Sequence, residues 1–324
     1  MIYSSLEALE PRIAPASASL PYTDRDGDNV TIKITTKGGS SSELETALDA
    51  AAGFAIDVGV GLELRTLDLT NPIFEGANVS ITAKRDVDAD GDGLVAVGRI
   101  IAGAQSLGKV VVDGDLGRIS GGEGAGTTAV KSLTVQSLGR YGNETQGGAG
   151  SLDSFFNGDV GKITVKEDVI NAGIQIFSGA LGSLTIGGSV VGGSDPGSGS
   201  IIISGKAGTV KIGRNLTSGT GDGSGAIRIG GDVTSLSIGG SVFGPSDVFE
   251  DGDGQIDVSG NVGKLLIKGN VIAGNGDFDI NTTQVDITGN VVNLQVGGSL
   301  AGTVAEGTSG TGSGSISVGG SVTN

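Results

Sequence analysis

Gly179-Ala-Leu-Gly-Ser-Leu184-Thr-Ile186 is followed by Gly205-Lys-Ala-Gly-Thr-Val210-Lys-Ile212, and the same phrase returns three more times. The later copies are Gly231-Asp-Val-Thr-Ser-Leu236-Ser-Ile238, Gly260-Asn-Val-Gly-Lys-Leu265-Leu-Ile267 and Gly289-Asn-Val-Val-Asn-Leu294-Gln-Val296. Their opening glycines lie 26, 26, 29 and 29 residues apart, a period that marks a stacked array. Apolar residues recur five and seven places after each opening Gly, and again at eleven: Val190, Leu216, Val242, Val271 and Leu300. Alternation of apolar with Ser, Thr, Lys or Gln is the period of a strand buried on one face; helical spacing is absent.

Working outward, a second alternating pair closes most copies: Ile201 and Ile203, Ile227 and Ile229, Ile256 and Val258, and, in the next copy, Phe278 and Ile280. Gly, Asn, Asp and Ser between the pairs suit corners, because they accept positive φ or hydrogen-bond their own backbone. One such turn cannot bury its apolar face alone, so successive turns must stack with their strands in parallel register. The expected fold is all-β, a parallel β-helix coiled in the right-handed sense that parallel crossovers favour. Earlier copies around Leu133 and Ile163 extend the array toward the N-terminus, with regular coils from about residue 114.

The remaining segments divide the chain into three. Residues 1–20, with Pro11 and Pro15, read as a flexible terminal segment. Residues 21–61 read as a cap: a strand alternating at Val30, Ile32 and Ile34, then a helix opening at Ser40-Ser41-Ser42 and running through about Ala51. Leu44, Ala47, Leu48 and Ala51 share one face of that helix, which suits a lid on the first coil. Residues 62–324 are the β-helix, interrupted by a polar insertion from Arg140 to Gly148 of the kind that carries binding function.

Composition excludes several chemistries. Cys and His are both absent, so Cys/His zinc sites, thiol catalysis and Ser-His-Asp triads are out of reach. A net charge of −16 argues against a nucleic-acid partner, which needs Lys and Arg along its backbone. No apolar run approaches the roughly 20 residues of a membrane span, and no secretory leader is expected in the chain as written. Polysaccharide lyase or hydrolase chemistry needs paired carboxylates, or a cation with an Arg or Lys base. Here Arg118, Arg140, Lys162, Lys166 and Lys211 fall on different coils, and Tyr141, Phe155 and Phe156 are the only aromatic cluster, so no enzyme is expected.

The acidic turns point to Ca²⁺. Asp86-Val-Asp88-Ala-Asp90-Gly91-Asp92-Gly93 places carboxylates at alternate positions with Gly at the sixth, like the first half of an EF-hand loop, although Val97 replaces the closing Glu. Asp24, Asp26 and Asp28 form a shorter version, and Asp251, Asp253 and Asp257 a third. The alternative for each is a hydrated acidic corner.

Three resemblances bear on location. Leu6-Glu7-Ala8-Leu9-Glu10-Pro11-Arg12 resembles the Leu-Glu-Pro-Arg sorting motif near the N-terminus of secreted and surface proteins of planctomycete and verrucomicrobial bacteria, continuing here as Ile13-Ala14-Pro15 in place of two Leu and a small residue. The Gly-rich body resembles the uncharacterised β-helix proteins that carry this motif, and the Asp24–Asp28 turn is similar to those of bacterial cadherin-like surface domains. The resemblance implies a secreted or cell-surface protein. The expected role is therefore a noncatalytic structural or adhesive β-solenoid, stabilised by Ca²⁺, facing extracellular polysaccharide or other surface proteins. The alternatives are an acidic-polysaccharide-binding or -cleaving β-helix, and a filament subunit associating end to end through an uncapped last coil.

Overall fold

The computed structural model describes residues 14–56, 61–86, 91–148, 150–244, 256–272, 284–301 and 314–323. It is a β-solenoid of about seven turns, mostly of parallel strands, with one short helix. The repeated phrase forms the same strand in every coil. Leu184, Val210, Leu236, Leu265 and Leu294 pair in one continuous parallel register, as do Ile186, Ile212, Ile238, Ile267 and Val296. A second strand column runs through Val190, Leu216, Val242, Val271 and Leu300, and a third through Ile174, Ile201, Ile227 and Ile256. The inward side chains of all three columns form a single aliphatic core, except Leu300 at the last coil, which is exposed.

One reading requires correction. The positions above Ile256 and Val258 are filled by Val285 and Ile287, not by Phe278 and Ile280, which lie outside the described residues. Counted back from the Gly of the next phrase, Val285 and Ile287 precede Gly289 by the same distances as Ile256 and Val258 precede Gly260. The coils opening at Gly231 and Gly260 are equally long, so the pair also falls at the same forward offsets in both, 25 and 27 after the opening Gly, whereas Phe278 and Ile280 lie at 18 and 20 and share only the alternation.

Polar side chains follow the same stacking at the corners. Asp232 Oδ1 accepts the backbone N–H of Asn261 at 2.7 Å, Asn261 Oδ1 accepts that of Asn290 at 3.0 Å, and Asn290 Oδ1 accepts that of Ser321 at 2.9 Å. Such ladders satisfy corner amides that no strand neighbour reaches.

The N-terminal end is built differently. Strands β1 (Ala16–Thr23), β2 (Asn29–Thr36) and β5 (Ala77–Lys84) pair antiparallel, as do β3 (Ala52–Ile56) and β4 (Leu62–Asp68). β1 begins inside the segment read from sequence as a flexible terminus. Its inward Ala16 and Ala18 are buried against the cap. Helix α1 (Ser41–Ala51) falls where predicted, burying Leu44, Leu48 and Ala51 and packing chiefly on β1. Parallel stacking starts where β6 (Val95–Ile101) pairs with β4, and where β7 (Leu107–Gly121) pairs with β5, β6 and β8 (Thr128–Leu138). The antiparallel cap thus hands over to the parallel stack through β4 and β5, and the acidic segments lie at that junction.

Candidate cation site at the cap junction

Asp24 to Asp28 form the turn joining β1 to β2. Asp24 N–H donates to Asp28 O at 3.0 Å and Asp28 N–H donates to Asp24 Oδ1 at 2.8 Å, while Gly27 supplies the positive φ of 97° that closes the turn. Asp24 and Asp28 are 7% and 0% exposed, whereas Asp26 projects outward. One carboxylate oxygen from each of the three lies within 4.8 Å of the other two.

Antiparallel pairing of β2 with β5, with Asn29 opposite Lys84, carries the second acidic segment onto this turn. Asp28 receives the backbone N–H of Asp86 on Oδ1 at 3.3 Å and that of Gly93 on Oδ2; Asp26 Oδ2 receives that of Asp92 at 3.2 Å. Asn29 Nδ2 donates to Asp86 Oδ2 at 3.4 Å. Gly91 lies against the Asp28 carboxylate so closely that a Cβ there would fall 2.0 Å from Oδ1. The two motifs that read as separate loops therefore meet, the second giving the amides of Asp86, Asp92 and Gly93 to carboxylates of the first, while among the described residues the clustered carboxylates are Asp24, Asp26 and Asp28.

Asp88 and Asp90 lie outside the described residues, as do Asp251 and Asp253. Asp257 belongs elsewhere. It projects outward between Arg228 and Asp286 of the neighbouring coils, and its carboxyl is raised by partial burial and by Asp286, against the opposing pull of Arg228.

The carboxylates at the junction lie in one another's field. Burial, followed by a hydrogen bond with Asp26 and the charges of Asp26 and Asp28, pushes the Asp24 carboxyl up to about 7, against the Asp28 amide that stabilises its charged form. Buried carboxylates this close need a counter-charge or a proton. All-oxygen donors on a short turn suit Ca²⁺ or Mg²⁺.

A cleft of about 410 Å³ adjoins the site, lined by Asp24, Arg25, Asp26, Asp92, Asp115 and Tyr141 among others. The polar insertion forms its far wall, held there by Asp115. This residue, 3% exposed, accepts from Ser137 Oγ at 2.6 Å and from the N–H groups of Arg140 and Tyr141 at 3.1 and 3.4 Å. Burial raises the Asp115 carboxyl while those donors pull it down. Arg140 is fastened outward by Glu167 Oε2 at 2.9 Å. Tyr141 is 48% exposed, and its hydroxyl is raised by burial and then by Asp92. Sequence reasoning passed over Asp115, because its partners sit in the following coil and no motif joins them.

The aromatic cluster separates. Phe156 is wholly buried, while Phe155 stacks on Phe177 of the next coil with centroids 5.9 Å apart. No described helix is long and apolar enough to cross a membrane. Comparison of the chain with family models, curated proteins and solved structures gives no match.

Proposed function

We propose that this chain is a noncatalytic structural or adhesive β-solenoid of the bacterial exterior, with Ca²⁺ clamping the cap to the stack. The observation that carries the reading is the convergence of Asp24, Asp26 and Asp28 with the segment after β5, at the place where antiparallel pairing gives way to parallel coils. A cation there fastens the turn between β1 and β2 beside the segment that β5 delivers to it. An exterior address rests on the Leu6–Arg12 resemblance and on an acidic composition that suits divalent cations. An aliphatic stack with charge turned outward suits a rigid spacer, since each coil supports its neighbours.

The direct test is thermal melting in chelator and in millimolar Ca²⁺. A cation that binds only the folded state stabilises it, by about 2.7 kcal/mol at a hundredfold excess over Kd. The melt is expected to rise with Ca²⁺ in the native chain and to respond much less after Asp28→Asn. An unmoved melt in the native chain removes Ca²⁺ from the account. Release of new reducing ends or unsaturated sugars from an acidic polysaccharide would overturn the noncatalytic reading.

A further inference from the structure

Four lysines far apart in the sequence share a face. Outward positions of the strands carrying the repeated phrase form two columns that continue back through β8 to β7 by way of β10 (Asp159–Val165). One column runs Lys109, Ser132, Lys162, Ser183, Thr209, Ser235, Lys264 and Asn293. Its neighbour runs Val111, Thr134, Thr164, Thr185, Lys211, Ser237, Leu266 and Gln295. Neither contains an Asp or Glu, in a chain whose net charge is −16. Lys109, Lys162, Lys211 and Lys264 come on every second coil, so their rungs are spaced by about 10 Å, twice the strand separation. All four are exposed, and none forms an ion pair with a described residue.

A groove of about 580 Å³ runs beside these columns across successive coils. Its floor includes the backbone of Gly161, Gly182 and Gly208, where a Cβ would fall 2.4, 2.3 and 2.1 Å from the carbonyl oxygen of the coil before. Lys131 and Lys206 add two more exposed ammonium groups to its lining. Its carboxylates, Asp159 and Asp232, already accept the N–H groups of Ala180 and Asn261.

We infer that this face binds a linear anionic glycan laid parallel to the solenoid axis. Ammonium groups on alternate coils meet its carboxylates or sulfates, the Ser and Thr columns meet its hydroxyls, and the glycine floor lets the chain approach the backbone. A polymer bearing an anion on alternate sugars matches the lysine repeat. Nucleic acid fits worse. The two columns hold no aromatic side chain on which bases stack, and the rest of the chain repels a dense phosphate backbone. The inference goes beyond the structural role and does not depend on Ca²⁺ at the cap junction.

The experiment is titration of the full chain with polygalacturonate, which carries carboxylates and no sulfate, and, separately, with κ-carrageenan, which carries sulfate on alternate sugars and no carboxylate, so that the recognised group is distinguished. Neutral dextran and oligo-dT serve as comparisons. Chelator is present throughout, so that a cation bridge at the acidic junction cannot mimic binding. Expected is salt-sensitive binding of at least one anionic glycan, weakened about tenfold or more by combined Lys109→Glu, Lys162→Glu and Lys211→Glu, and unchanged by Lys37→Glu on the cap. If the triple Glu chain melts early, the same positions changed to Gln carry the test. Equal binding by the substituted chain, failure to bind either anionic glycan, or oligo-dT bound as tightly as the better glycan overturns the inference.

Discussion

The regular coils after Gly179 and the junction near Asp28 are held together by opposite strategies. In the coils every residue meets its own counterpart one period away, so Ile212, Ile238 and Ile267 stack as one column and Asp232, Asn261 and Asn290 as another. At the junction no residue meets its like. Asp28 is bound by the amides of Asp86 and Gly93, 58 and 65 residues away, and Asp24 pairs with Leu62 through an isolated bridge. Repetition makes the coils redundant, whereas the junction depends on a few carboxylates and the amides of one distant segment.

Substitutions in the two regions should therefore fail in different ways. The largest effect is expected from Ile238→Asp, which places an unpaired charge at a wholly buried position between two other isoleucines. A loss of about 3–5 kcal/mol in denaturant unfolding is expected, with or without Ca²⁺. A melt like that of the parent would place this side chain outside and break the account of the core.

At the junction the expected signature is pH dependence. The Asp24 carboxyl is raised to about 7, mainly by burial, from an ordinary value near 4. Between those values the folded chain keeps a proton that the unfolded chain has already lost, so this group's contribution to stability is present at low pH and declines as pH rises toward 7. In chelator, the melting temperature relative to Asp24→Asn should fall over that window. Saturating Ca²⁺ should remove the decline, because the cation stabilises the ionised form. A flat difference between the two chains in chelator would show that Asp24 is charged throughout.

The smallest effect is expected from Asn261→Ala. It removes one rung of an exposed ladder and frees the Asn290 amide, which water can still reach. A cost of about 0.5–1 kcal/mol by chemical denaturation is expected. A cost as large as that of Ile238→Asp would make the corner ladders, and not the core, the main support of the coils.

How much was legible follows the same division. The repeated phrase, its inward residues and α1 with Leu44, Leu48 and Ala51 were readable because each depends on a local period. Val285 and Ile287 were missed because the alternation at Phe278 and Ile280 resembles the pair, although only Val285 and Ile287 keep the offsets of 25 and 27 from the opening Gly that strand register requires. Both acidic turns were visible as carboxylates at alternate positions, yet they read as separate sites. Their union rests on one antiparallel pairing, Asn29 with Lys84, which no repeat announces. Asp115 was invisible for the same reason, since Ser137 and Arg140 reach it from the next coil.

From the chain alone followed the coil, its period and its aliphatic interior, because apolar residues at fixed offsets can leave water together only by stacking. Folding alone decided that two acidic loops meet, and that lysines far apart in the chain line one face. Those neighbours are set by strand register, which turns a spacing of one period along the chain into about 4.8 Å through space.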